Sequence, residues 1–236
     1  MRWVLALFLV LSVAMLPVPA RAGEPVDLAL VLVSDVSTSV DTTEYEMQKA
    51  GYFAAFTDPD VIAAIRGGTV GAIAVAYVEF ATDAVTIMPW TVLRDAASAR
   101  AFAERLRAAP RGFSGRTSIS TGLRQAMTEL SIWGGGETLR RVIDVCGDGV
   151  DNSDEPASVA RDAAVAAGIT VNGLAITDRR ARWPWADIRE YIPDGLPQYY
   201  RSEVTGGPGS FVLEVQGSGA FDQAIRRKLL REIASR

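Results

Sequence analysis

The chain has 236 residues, with 24 basic and 28 acidic side chains, a net charge of −4, one cysteine and no histidine. An acidic balance argues against a nucleic-acid partner, whose recognition needs a basic face. The lack of histidine excludes Ser-His-Asp and Cys-His catalysis and any histidine-ligated zinc or iron site.

Residues 1–22 read as a secretory signal peptide. Arg2 is a positive start, Val4 to Leu16 an apolar core, and Ala20-Arg21-Ala22 a small-residue cleavage site. The mature chain is then expected to be one domain over residues 23–236, exported to the periplasm or secreted. Loss of Arg2 and Arg21 makes it more acidic, and no later stretch is long and apolar enough to span a bilayer. A chain of this length buries a full core without staples. Cys146 has no partner for a disulfide, and its neighbours Val142, Ile143 and Val145 make it a small buried strand residue.

The first strand is expected over Leu28–Val33, an apolar run suited to burial on both faces of a parallel sheet. Asp41 to Phe56 reads as a helix, capped by Asp41 with Glu44 three residues on, and with Tyr45, Ala50, Phe53 and Ala54 near one stripe. Pro59 opens a short helical piece, Val61–Ile65, which Gly67 and Gly68 end. Val70–Phe80 and Ala84–Pro89 read as strands, and the link Ala81-Thr82-Asp83 is short enough to make them an antiparallel hairpin at a sheet edge. Helices are expected over Asp95–Ala108, Ser118–Ile132 and Pro156–Ala167, and strands over Arg141–Val145, Thr170–Ile176 and Phe211–Val215.

A helix over Asp222–Ile233 closes the chain, its Arg226-Arg227-Lys228 run reading as a solvated face. Between Ile176 and Phe211 the pattern is irregular. Trp185–Ile192 is at most one short helix there, and Trp183, Trp185, Tyr199 and Tyr200 form either a recognition surface or an edge cover. Alternation of strand and helix predicts an α/β fold, a doubly wound and mostly parallel central sheet with one antiparallel edge strand, flanked by helices.

Three polar loops stand out. The first strand runs into Asp35-Val-Ser37-Thr-Ser39, whose oxygen-bearing side chains lie two apart at a strand's carboxyl end, where open α/β sheets collect ligands. Such oxygens suit a hard cation. Thr117 opens a helix, where its hydroxyl either caps the backbone or faces an ion. Asp148, between Gly147 and Gly149, ends another strand, as a second carboxylate ligand or as part of a β-turn.

Together and in this order, these residues resemble the metal-ion-dependent adhesion site of the von Willebrand factor A domain family. The likeness covers nearly all of the mature chain. The segments Arg141–Asn152 and Asn172–Ile176 look like an uncharacterised bacterial secreted branch of that family. The resemblance implies a metal set of Asp35, Ser37, Ser39, Thr117 and Asp148 holding Mg2+, with Mn2+ or Ca2+ as alternatives. It also implies serines that bind directly, a threonine that binds directly once a partner is engaged, and aspartates acting directly or through water. The departure at Thr38, where Gly is frequent, stiffens the loop without removing a ligand. Asp151 and Asn152 are candidates for outer support.

The implied activity is capture of a partner protein's Asp or Glu carboxylate, which completes the ion's coordination. A competing expectation is a metal-assisted phosphohydrolase with Asp35 as nucleophile. It is disfavoured by Ser37 in place of a second carboxylate and by the lack of a nearby lysine or histidine. A third is a structural interaction domain with a relict site that works through Trp183–Tyr200.

Overall fold

Val26–Asp35 forms β1, buried along almost its whole length, and it lies inside the sheet between β2 (Ile73–Phe80) and β4 (Thr138–Gly147), parallel to both. The computed structural model describes residues 24–134, 136, 138–177, 195–216 and 220–234. The expected signal peptide, Trp183, Trp185 and the helix expected over Trp185–Ile192 lie outside the described residues.

β3 (Ala84–Leu93), β5 (Thr170–Thr177) and β6 (Val212–Gln216) complete a six-stranded sheet in the order β3-β2-β1-β4-β5-β6, in which only the β2/β3 pair is antiparallel. The helices are α1 (Thr42–Phe56), α2 (Pro59–Arg66), α3 (Ala96–Ala108), α4 (Ile119–Ile132), α5 (Ala157–Ala166), a short α6 (Leu196–Tyr199) and α7 (Phe221–Ala234). α6 runs directly into a π-helical turn, Tyr200–Val204.

The apolar run of β1 explains the layering, because successive strand residues point to opposite faces. Leu28, Leu30 and Leu32 join Tyr52, Phe56, Phe102, Leu106 and Leu229 of α1, α3 and α7 in one core. Ala29, Val31 and Val33 join Ile119, Leu123, Ala160 and Tyr200 of α4, α5 and the π turn in the other. Both faces are covered, as the continuous apolar pattern requires.

Four local expectations need correction. Asp41 and Glu44 do form the capping box of α1, but the buried face of that helix is Tyr45, Gln48, Lys49, Gly51, Tyr52, Ala55 and Phe56, while Ala50 and Ala54 are exposed. Polar residues and a glycine on the inner face concealed the stripe. β2 starts at Ile73 rather than Val70, because the amides of Val70, Gly71 and Ala72 turn onto the carboxylate of Asp27. β3 continues through Pro89 to Leu93; the register shifts around Val75–Val78 place a bulge there, and an edge strand tolerates the missing N–H.

The fourth correction concerns Lys228, which is not solvated. It is wholly buried, ion-paired with Asp144 of β4 and, at 3.1 Å, with Glu232. Arg226, first in the run, pairs with Asp58 and Asp60 at the start of α2.

Candidate functional site

β1 and β4 are neighbours, and the chain leaves β1 toward β2 on one side while β4 leads to β5 on the other. This reversal opens a crevice at the strands' carboxyl ends. Asp35 ends β1 and Asp148 follows β4, so the two carboxylates flank that crevice. Thr117 enters it just ahead of α4.

The structure brings Asp35, Ser37, Ser39, Thr117 and Asp148 into one connected hydrogen-bond chain. Asp35 Oδ1 accepts from the Ser37 amide at 2.7 Å, and the Ser37 and Ser39 hydroxyls stand 3.0 Å apart. Ser39 Oγ donates to Asp148 Oδ1 at 2.8 Å, and Thr117 Oγ1 donates to Ser37 Oγ at 3.1 Å. The cap of α4 is Ser118, whose side chain accepts from the Thr121 amide. Thr117 is therefore free of the capping role and faces the other loops.

Each loop is held from outside. Asn152 grips Thr117 through both backbone groups: its Oδ1 accepts from the Thr117 amide and its own amide donates to the Thr117 carbonyl, each at 2.9 Å. The Asp151 carboxylate accepts from the Ser120 amide in the first turn of α4 and from Ser153. The Thr38 amide donates to the Gly115 carbonyl at 2.9 Å, docking the first loop on the second.

Sequence reading assigned no role to Arg111. Its guanidinium donates to the carbonyls of Val36, Ser37 and Val40, clamping the Asp35–Ser39 loop from its backbone side. Nothing local marks this role, since the three carbonyls it clamps lie more than seventy residues away. Tyr199 and Tyr200 turn inward rather than presenting a surface. The Tyr199 hydroxyl accepts from the Asp151 amide at 3.0 Å, and Tyr200 is wholly buried.

Two carboxylates in one shielded crevice disfavour each other's ionisation. Burial first and the nearby Asp148 second push Asp35 up to about 7, against the lowering effect of Ser37 and Arg111. Burial likewise raises Asp148, which the Ser39 hydroxyl partly offsets. Asp35 Oδ2 is buried without a hydrogen-bond partner.

These features fit a divalent cation, which would neutralise both acids and engage the unpartnered oxygen. Adjacent oxygens around octahedral Mg2+ lie about 3 Å apart. The hydroxyl and carboxylate oxygens here already stand 2.8–3.1 Å from one another. Among the described residues, no cluster of three or more His, Cys, Asp or Glu side chains is placed to hold a metal, so hydroxyl donors would carry much of the coordination.

The sheet order, the helical layers and the crevice at this switch point define a von Willebrand factor A-type fold. Comparison with solved structures agrees. The chain is similar to a von Willebrand factor type A protein from Catenulispora acidiphila, with TM-score 0.62 and 17% identity over 88% of this chain and 43% of that one. It is similar to proximal thread matrix protein 1 of the mussel byssus, in a form described with zinc in its MIDAS motif, with TM-score 0.55 and 17% identity over 88% of this chain and 46% of that one. It is also similar to the pilus adhesin SpaC of Lactobacillus rhamnosus GG, with TM-score 0.57 and 17% identity over 89% of this chain and 30% of that one.

This chain thus spans less than half the length of each. At these identities the likeness is one of fold. A search of curated proteins finds no match. The chain belongs to the family described as a protein of unknown function (DUF1194), whose model matches residues 25–236.

Proposed function

We propose that this protein is a binding module, not an enzyme, and that it uses a divalent cation held by Asp35, Ser37, Ser39, Thr117 and Asp148 to capture an Asp or Glu carboxylate of a partner protein. The observation that carries this reading is the connected set of oxygens from three loops, with a buried Asp35 oxygen that has no hydrogen-bond partner among the described residues. A bound cation, Mg2+ in the first instance with Mn2+ or Ca2+ as substitutes, would supply a charged contact point for the incoming carboxylate. The adhesin and the byssal matrix protein among the structures of similar fold support a role in protein association.

Each residue has a physical task. Ser37, Ser39 and Thr117 present hydroxyl oxygens, while Asp35 and Asp148 balance the charge. Five side chains leave at least one position of a six-coordinate ion open, and a partner's carboxylate would fill it most strongly in a shielded interface. Arg111 and Asn152 keep the loops in register. We also propose that residues 1–22 are a signal peptide and that the domain over residues 23–236 acts in the periplasm or outside the cell. Among the described residues no helix is long and apolar enough to cross a membrane.

Calorimetric titration of the chain freed of residues 1–22 with Mg2+, Mn2+ and Ca2+, beside Asp35→Ala, tests the reading. Saturable binding of one ion per chain that is lost in the variant is the expected result. Binding that is absent, or unchanged in Asp35→Ala, would overturn it.

A further inference from the structure

Tyr200 sits in a slot built for it. The π-helical turn Tyr200–Val204 follows α6 and brings the ring against β4 and β5. A side-chain carbon added at Gly173 of β5 would meet the ring's Cδ1 at 2.8 Å, and one added at Gly147 of β4 would meet the hydroxyl at 2.7 Å. These two glycines on neighbouring strands therefore clear the path along which the ring reaches the crevice from below. π-Helical turns often occur at functional sites.

The same point at Gly147 that lies 2.7 Å from the Tyr200 hydroxyl lies 3.1 Å from Asp35 Oδ2. Both atoms are buried, and neither has a hydrogen-bond partner among the described residues. One is a donor and the other an acceptor, so they are complementary. A buried polar atom left unpartnered is destabilising, and two complementary ones at one spot invite either a small closure or a single bridging water. The adjacent Tyr199 already supports the neighbouring loop through the Asp151 amide.

We infer that Tyr200 is a positioning residue for the cation site: its hydroxyl donates toward Asp35 Oδ2, directly or through one water, and holds that carboxylate oriented for the ion. This rests on the cation reading above. A group that orients a metal's direct ligand typically changes affinity 10- to 100-fold when removed. The ring, not the hydroxyl, fills the slot against β4 and β5, so the fold does not depend on the hydroxyl.

The test is Tyr200→Phe, which keeps the ring, compared with wild type in two measurements. Mg2+ titration is expected to show affinity reduced at least about tenfold. Thermal melting without cation is expected to show a variant that folds and melts close to wild type, since the buried ring is kept. A residue that merely filled space would leave the affinity unchanged. Unchanged affinity would overturn the inference, and so would a variant that fails to fold, because the hydroxyl would then have a structural partner. Wild type that binds no cation would overturn the cation reading first and this inference with it, a result distinguishable because it is read on wild type alone.

Discussion

Ser39 donates its hydroxyl proton to Asp148 Oδ1 at 2.8 Å, joining two residues 109 positions apart in the chain. That bond closes the crevice between the loops after β1 and β4, and it occupies the carboxylate oxygen that a cation would claim. On the proposed reading, proton and cation would compete for one set of oxygens, and the consequences can be measured.

The first consequence is a pH dependence of the cation-free protein. Asp35 is raised to about 7 by burial, whereas an unfolded aspartate titrates near about 3.9. The native state thus binds the extra proton between those values. Stability from this group is greatest below about pH 4, declines as pH rises toward 7, and is level above. Urea unfolding from pH 4.5 to 8 should show this decline in wild type and its loss in Asp35→Asn. Saturating Mg2+ should flatten the wild-type profile, because the ion selects the charged carboxylate. A wild-type profile parallel to that of Asp35→Asn would contradict the assignment.

The second concerns the buried ion cluster beneath α7. Lys228, Asp144 and Glu232 are each almost wholly inaccessible, and the Asn172 side chain donates to Glu232 at 3.3 Å. Replacing Lys228 with Met leaves two carboxylates buried without their cation. Breaking such a cluster destabilises by about 3–5 kcal/mol. The expected readout is a lowered urea midpoint for Lys228→Met, with partial recovery when Asp144→Asn and Glu232→Gln are added. A midpoint unchanged by Lys228→Met would show that the cluster contributes nothing to stability.

The third concerns the seat of α4. A carbon added at Gly122 would stand 2.9 Å from Val33 Cγ1 and 3.0 Å from the Phe80 ring. Gly122→Ala forces the helix away from the sheet, and overpacking of this kind costs about 1–3 kcal/mol. Because Thr117 precedes this helix, cation affinity should fall along with the melting temperature. A variant with lowered stability but intact affinity would show that the Asn152 grip alone positions Thr117.

Much of the fold was legible because strands buried on both faces announce themselves as unbroken apolar runs, as in β1. The antiparallel hairpin was legible from its three-residue link. The face of α1 was hidden because Lys49 lies inside, ion-paired with Glu79 at 3.4 Å and donating to the Leu106 carbonyl. Lys228 was misread for the same reason: a lysine following two arginines signals solvent until a distant carboxylate claims it.

At the crevice, Asp35, Ser37, Ser39, Thr117 and Asp148 were visible because their chemistry lies in the side chains and their place at loop starts. Arg111 and Tyr200 were not, because their contribution depends on what folding brings beside them.

The burial of Lys49 and Lys228 has one practical consequence. They are the chain's only lysines, 3% and 0% exposed. The folded protein consequently offers no lysine amine to its surroundings, although arginines are plentiful. Amine-directed cross-linkers and labels will report on its N-terminus or on its unfolded fraction. A search for its partner in situ should instead use carboxylate-directed or light-activated coupling.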